Sequence, residues 1–364
     1  MASFTSSSSS SSSSLYSSIC KPFHIRGNTL LVASRIDPAG VNMVNSLVSK
    51  ADIFTPSTEH KDVWFSTKKA YVDINDEEDI TYLWLQDQRL LSLDEVDDIF
   101  CKEFNINTKF DDIIFLSMHK AASGKASLTV HPIGIPWLSE NSVVGGIPGR
   151  CSPPSLRIAA LYRTLYKETK RRQLDSKYQV TLEATHHGPH VSKPVCFFEI
   201  GSTEEHWSIP ECGDIMADVL ISHLGLYNDD NNSGKEDTTS RNDNVNFVMC
   251  CIGGGHYVPK QCDGARIEGL YTGHAITTYA FDGYFEGTVE KPVEGGWSSI
   301  VNESIAATRL SFPNAEIVYF VDKKAFIAAN RHAICSLLDS HDIKWSFSFS
   351  DIKSMYEKKI VQAV

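Results

Sequence analysis

The stretch PSLRIAALYRTLYKETKRRQLDSKYQVTLEATHHGPHVSKPVCFFEIGS, residues 154–202, decides the fold class. Over residues 154–173 the apolar side chains Ile158, Leu161, Tyr162 and Leu165 recur at helical spacing, with Arg and Lys on the opposite face. YQVTLEAT (178–185) and CFFEIGS (196–202) then follow as short β-branched and aromatic runs of strand character. The same alternation extends outward in both directions. TLLVAS (29–34) precedes a helix-compatible stretch from Pro38 to Ala51, and DIIFLSM (112–118) and SLTV (127–130) are further strands. Downstream, VNFVMCCIGGG (245–255) and AEIVYFV (315–321) are strand-like, and residues 211–225 and 323–340 carry helical patterns. Strands alternating with helices predict an α/β fold with a mainly parallel central sheet flanked by helices.

The chain has 364 residues, 42% hydrophobic and 22% charged, which is ordinary globular composition and excludes disordered, collagen-like and disulfide-scaffold proteins. No apolar stretch approaches the roughly 18 residues needed to span a bilayer, so no membrane partner is expected. The nine cysteines form no C-x-x-C pair, so neither a zinc ribbon nor a secreted disulfide framework is indicated. Residues 1–27 are Ser-rich, with an unbroken run from Ser6 to Ser14, and no acidic residue precedes Asp37. They read as a leader or disordered tail. The expected location is the cytoplasm, extending to the nucleus, with plastid or mitochondrial targeting by the leader as the alternative. Residues 28–364 read as a single α/β domain, with the polar, turn-rich segment 228–244 as a surface loop. The acidic residues between 73 and 103 read as a solvated face.

Polar residues recur at the downstream ends of the predicted strands. His119 follows DIIFLSM, His131 follows SLTV, His186 and His187 follow TLEAT, Glu199 lies late in CFFEIGS, and His256 follows FVMCCIGGG. In open parallel sheets the carboxyl ends of the strands share one edge where ligands bind, so these residues are expected to converge. Glu183, His186, His187 and Glu199 have the chemistry of zinc ligands, but their spacing is not the helical H-E-x-x-H arrangement, and metal-free histidine catalysis is the competing reading. Gly253, Gly254 and Gly255 could cradle a phosphate or an oxyanion with backbone N–H groups, or simply form a tight turn. Arg163, Lys167, Lys170 and Arg171 fall near one another on the predicted helix, as a phosphate-contacting patch or as the usual cations of a helix C-terminus. No G-x-S-x-G elbow is present, which removes support for an α/β-hydrolase serine nucleophile.

TLEATHHGPHVSKPVCFFEIGSTEEHW (181–207), GGGHYVP (253–259) and FLSMHKAASGKASLTVHPIG (115–134) together resemble the archaeal and plant type of D-aminoacyl-tRNA deacylase. The resemblance runs from about Thr29 to the C-terminal helix. It implies hydrolysis of the ester joining a D-amino acid to tRNA, a phosphorylase/hydrolase-like α/β fold and zinc dependence. On matching positions it implies a site of Glu183, His186, His187, Glu199, His256, His119 and His131. Met118 stands where the family motif usually has Arg, with Lys120 or Lys125 as substitutes.

On this reading His186 and His187, with Glu183 or Glu199, are the expected Zn2+ ligands. His256 or His119 is the proton-transfer group, and His131 and Glu183 belong to the catalytic set. Lys193, Lys260 and the 163–172 basic stretch are the candidates for holding the acceptor end of aminoacylated tRNA; no DNA partner is expected, and the protein is expected to be a monomer. Two alternatives stand beside it: a metal-dependent amidase, peptidase or nucleoside-processing enzyme of the same fold, and a noncatalytic tRNA-binding protein. The net charge of −11 excludes a broad cationic footprint and leaves room only for local phosphate contacts.

Overall fold

The computed structural model describes residues 27–50, 53–66, 80–122, 124–138, 145–226, 247–285 and 296–363. The Ser-rich leader through residue 26, the excursion at 228–244 and residues 73–79 of the acidic segment lie outside the described residues.

The mainly parallel sheet expected from the sequence is present. Its spine is β1 (Asn28–Ser34), flanked in parallel by β4 (Thr81–Gln86) and β5 (Phe110–Lys120). Beyond β4 lie β3 (Val63–Ser66) and β2 (Thr55–Pro56), both paired antiparallel. Beyond β5 lie the parallel β10 (Val195–Ser202), then β6 (Ser127–His131), antiparallel to β10, and last β9 (Gln179–Leu182), parallel to β6. Strands buried on both faces read as continuous apolar runs, and β1 shows why. Leu31 and Ala33 pack with Ile114, Leu116, Phe198 and Ile200 against Met43, Leu47, Ile215 and Met216. Leu30 and Val32 point the other way, packing with Phe115 and Phe197 against Val96 and Phe100. The helices supplying these faces are α1 (Pro38–Ser49), α5 (Pro210–Leu224) and α2 (Val96–Phe104).

A second, wholly parallel sheet carries the C-terminal third, in the order β12 (Leu270–Ile276), β11 (Phe247–Ile252), β13 (Glu316–Val321), β14 (Lys344–Ser346). Val248, Cys250 and Ile252 of β11 pack on α7 (Trp297–Ser311) and α8 (Ala328–Ser340). Phe247, Met249 and Cys251 face the opposite way and belong to the same apolar cluster as the first sheet. That shared core joins the two sheets and fixes where β11 ends. The segment read as an acidic, solvated face contains β4 and α2, whose Asp97 and Asp98 sit in the helix's first turn, where negative charge is favourable. Just ahead of α2, Asp94 accepts a hydrogen bond from His190 N at 2.7 Å and Glu95 accepts one from Ser192 N at 2.9 Å. These acids therefore fasten the loop that follows the paired histidines.

Candidate active site

The segment after β9 is tied, residue by residue, to different parts of the fold. Glu183 N donates to Val130 O of β6 at 3.2 Å, Ala184 N to His256 O at 2.8 Å, and Thr185 N to Ala275 O of β12 at 2.8 Å. One short stretch is thereby stitched to both sheets, and the sequence-distant polar residues meet around it. His119 is the penultimate residue of β5, His131 ends β6 and Glu199 lies within β10, while the turn after β11 brings in His256. His119 is held at the strand end by Trp207 Nε1, which donates to His119 O at 3.1 Å. Asp37, at the N-cap of α1, accepts from Met118 N at 2.9 Å and from Gly40 N at 2.9 Å, locking the helix entrance to the residue before His119. A Cβ on Gly201 would lie 2.7 Å from His119 Cδ2, so only glycine lets β10 pass this close to the ring.

Two carboxylates form the floor. Glu183, 1% exposed, has His256 Nε2 at 2.8 Å, His119 Nδ1 at 3.2 Å and His186 Nε2 at 3.8 Å. Glu199, 3% exposed, has His119 Nδ1 and His131 Nε2 each at 3.5 Å, and Thr129 Oγ1 donates to it at 3.4 Å. Both oxygens of Glu183 and the Nε2 of His131 are buried without an aligned hydrogen bond. Burial without a partner is costly, and the convergence of such atoms with facing imidazoles at one point suits a bound group. His187 has φ +43°, a left-handed backbone that a side-chain-bearing residue adopts at a cost and that active sites tolerate.

The ring electrostatics divide the histidines into two sets. Burial opposes charge on His119 and His131, but the carboxylates of Glu199 and Glu183 beside them raise both above the ordinary imidazole value. Burial likewise pushes Glu199 up, yet the neighbouring His119 and His131 outweigh it and hold the carboxyl well below its usual range. Burial lowers His186 well below the ordinary value, reinforced by His187, His131 and His256. Burial and the neighbouring His131 bring His187 down to about 4. Imidazoles whose proton affinity is raised thus lie beside imidazoles whose affinity is lowered, with His131 and His186 ring centroids 4.4 Å apart and those of His186 and His187 4.3 Å apart.

The donor set suits a metal ion in more than one way. His131, His186 and His187 offer ligand atoms within 4.8 Å of one another, as do His119, Glu183 and His256, and also His131, Glu183 and Glu199. The trio of imidazoles differs from the expected ligand set, because His131 joins the histidine pair in place of a carboxylate. Each of its rings donates Nδ1–H to a backbone carbonyl: His131 to Pro132 O at 3.1 Å, His186 to Ala184 O at 2.8 Å and His187 to Gly188 O at 2.6 Å. That anchoring fixes the tautomer and leaves Nε2 as the ligand atom, the arrangement metal-binding histidines use.

Two expectations need correction. Gly253 N donates to Ile276 O at 2.7 Å and Gly254 N to Thr278 Oγ1 at 2.9 Å, so neither can cradle an anion. The glycines serve the turn: Gly253 has φ +98°, and a Cβ there would meet Ala325 Cβ at 2.6 Å. Gly255 is exposed beside them. Arg163 is also spent. It is buried in α3 (Ile158–Arg171), where it donates to Ala265 O at 2.6 Å and Ile267 O at 3.0 Å and pairs with Glu268 at 3.1 Å. Arg171 pairs with Glu168 at 2.6 Å, whereas Lys167 and Lys170 are exposed. Lys193 is half-buried, and Lys260 is exposed with its Nζ 3.3 Å from Asp263. Met118 packs its side chain against the main core, so no cation fills that position.

The sequence reading gave Tyr257 no role of its own and missed His274. Tyr257 OH lies 3.3 Å from His119 Nε2; its place next to His256 in GGGHY was its only signal. His274, fully buried within β12, has Nδ1 2.9 Å from Thr185 Oγ1 and braces the Glu183–His187 segment from the second sheet. Nothing in LYTGHAI marks it, because it lies mid-strand rather than at a strand end.

Fold and site together define an α/β protein with a buried imidazole–carboxylate centre at the junction of two sheets, suited to acid–base and metal-assisted chemistry. The sequence profile of the D-aminoacyl-tRNA deacylase family matches residues 106–346. A D-aminoacyl-tRNA deacylase of Arabidopsis thaliana is 33% identical over 333 residues, spanning 86% of this chain and 96% of that protein. One from Archaeoglobus fulgidus is 30% identical over 254 residues, spanning 70% of this chain and 78% of its own length. A solved conserved protein of unknown function shares the fold with a TM-score of 0.63 at 23% identity, covering 88% of this chain and 94% of its own. The chain belongs to the D-aminoacyl-tRNA deacylase family.

Proposed function

We propose that the protein hydrolyses the ester between a D-amino acid and the 3′-terminal ribose of tRNA, releasing free tRNA and the D-amino acid. Family membership supports the reaction class, and one observation carries the site: Glu183 and Glu199 lie buried among His119, His131, His186 and His256 at the joint of two sheets. In the reaction, the water oxygen bonds to the ester carbon and the bond to the ribose oxygen breaks. One water proton ends on that ribose oxygen, and the released acid leaves as the carboxylate with its proton lost to solvent.

His256 is placed to move that proton. With Nε2 2.8 Å from Glu183, Nδ1 is the nitrogen that would accept a proton from water and return it to the leaving oxygen, and the ring is 34% exposed. Glu183 orients the ring and stabilises the imidazolium. His119, fixed between Glu183 and Glu199, helps to hold the Glu199 carboxyl well below its usual range.

His131, His186 and His187 fit zinc, since three imidazoles with carbonyl-anchored Nδ1 atoms leave one position open in a three-ligand catalytic site. An ion there would displace the proton that Glu199 otherwise favours on His131. Zinc in such a site lowers the pKa of water toward 7 and polarises an ester carbonyl. For the acceptor end of tRNA, exposed Lys260, close in sequence to His256, and Lys193, ahead of β10, are the candidate phosphate contacts.

The test is release of amino acid from matched D- and L-aminoacyl-tRNA, with and without a chelator. Release from the D-form alone, abolished by chelator, is the expected result. Equal release from both forms, or none from either, overturns the deacylase reading; full activity in chelator removes zinc from it.

A further inference from the structure

Hydrolysis of an ester builds negative charge on the carbonyl oxygen, and a donor aimed at that charge is commonly the largest single contribution to the rate. The glycine turn was the natural source of such donors, but Gly253 N and Gly254 N are already bonded to Ile276 O and Thr278 Oγ1. The same turn delivers another donor. Tyr257 is bridged in antiparallel fashion to Glu183 through the backbone, and its half-buried ring lies beside His119 and His256, with centroids 6.1 and 5.6 Å away. Its hydroxyl is steadied by His119 Nε2 at 3.3 Å, and the opposite side of that ring is pinned at Nδ1 by Glu183 and Glu199.

We infer that Tyr257 is a catalytic residue of this site, its phenol donating the hydrogen bond that stabilises the oxyanion developing on the ester carbonyl. The inference rests on the deacylase reading above. With His119 Nε2–H donating to the phenol oxygen, the single O–H of Tyr257 is free to point to an acceptor arriving on the other side. A donor held in place before the substrate arrives pays no reorganisation cost during the reaction.

The experiment compares wild type and Tyr257→Phe in steady-state hydrolysis of D-aminoacyl-tRNA. It adds binding of a non-hydrolysable analogue, the D-amino acid joined by an amide to 3′-amino-3′-deoxyadenosine. Phe keeps the ring and its packing and removes only the hydroxyl. The expected result is a fall in kcat of roughly 100-fold or more, with KM and analogue affinity within about threefold of wild type; a purely structural hydroxyl would not produce that split. Activity of Tyr257→Phe within about threefold of an active wild type overturns the inference and leaves the deacylase reading standing. A rise in KM and loss of analogue binding at unchanged kcat makes Tyr257 a ground-state contact and also overturns it. Wild type that releases no D-amino acid brings down the reading and the inference together.

Discussion

Two regions of this chain advertise themselves by chemistry: the histidines and glutamates at the strand ends, and the basic end of α3. The fold treats them in opposite ways. At the strand ends, residues from β5, β6, the segment after β9, β10 and the turn after β11 meet, and buried polar atoms are left unspent, namely both Glu183 oxygens and His131 Nε2. At the end of α3, residues already neighbours in sequence spend their charge on their own surroundings: Arg163 on Ala265, Ile267 and Glu268, and Arg171 and Arg172 on Glu168. Local clustering by helical spacing needs no fold and predicts no function. Convergence from separate elements, with bonding capacity left over, does both.

The comparison breaks most directly at Glu183. If its carboxylate is the shared partner of His256 and His119, Glu183→Gln should lower kcat about 1,000-fold, within the range of general acid–base catalysis. The neutral amide has nearly the same shape, so thermal stability should hold. Single-turnover hydrolysis of D-aminoacyl-tRNA measures it, and activity within about tenfold of wild type would show the convergence to be structural.

The opposite behaviour is expected of Arg163. Truncation to Ala leaves the Ala265 and Ile267 carbonyls without their donor in a buried setting, costing about 3 kcal/mol of stability. Chemical denaturation should report that loss, while kcat/KM at 25 °C stays within about threefold. A rise in KM for tRNA at unchanged stability would instead restore Arg163 as a phosphate contact.

A pH experiment sharpens the same contrast away from the site. His223 of α5 is buried against α3, with Nε2 2.6 Å from Thr164 Oγ1, and burial, aided by the charges of Arg157 and Arg163, brings it down to about 3. A histidine neutral in the folded chain and titrating near 6.5 when unfolded favours folding fully above pH 6.5. Its contribution is lost as pH falls toward 3, because the unfolded chain binds the extra proton. Between pH 6.5 and 5 this amounts to about 2 kcal/mol. His223→Gln should remove about one proton from the slope of stability against pH, whatever it does to stability at neutral pH. An unchanged slope between pH 5 and 6.5 would mean that His223 is not held neutral.

What the sequence displayed and what it hid follow from the same physics. Parallel strands buried on both faces appear as continuous apolar runs, which made DIIFLSM and FVMCCI legible, and the polar residues behind them pointed to one edge. The strands β4 and β12 were not legible. TYLWLQ sits within an acidic segment, and LYTGHAI carries Thr272 and His274 facing inward. The trio of His131, His186 and His187 was beyond reach for another reason. It depends on β6 running antiparallel to β10, with His131 opposite Phe197 and Thr129 opposite Glu199, and strand order and register are not written in any one strand's composition. The glycine turn was found with two readings open, cradle or tight turn, because which acceptors its N–H groups meet is decided by Ile276 and Thr278 at the end of β12 and just beyond it.

The smallest effect is expected where the cations are most exposed. Lys167 and Lys170 project from the last turns of α3, and Lys170 Nζ lies over the Tyr166 ring at 4.6 Å, a ring also covered by Arg266. Chain direction argues against their reaching the substrate's ester. The helix ends ahead of β9, so its basic end lies toward the amino-terminal end of that strand, while Glu183 follows the carboxyl end. A strand of this length separates the two by about 13 Å. Lys167→Ala with Lys170→Ala should change kcat/KM for D-aminoacyl-tRNA by less than about twofold in 0.1 M salt. The slope of log KM against log salt should also stay fixed, since each phosphate contact removed would lower it by nearly one unit. A slope reduced by about two would place the body of the tRNA across this helix, and the basic end of α3 would then join the strand-end histidines as part of the working surface.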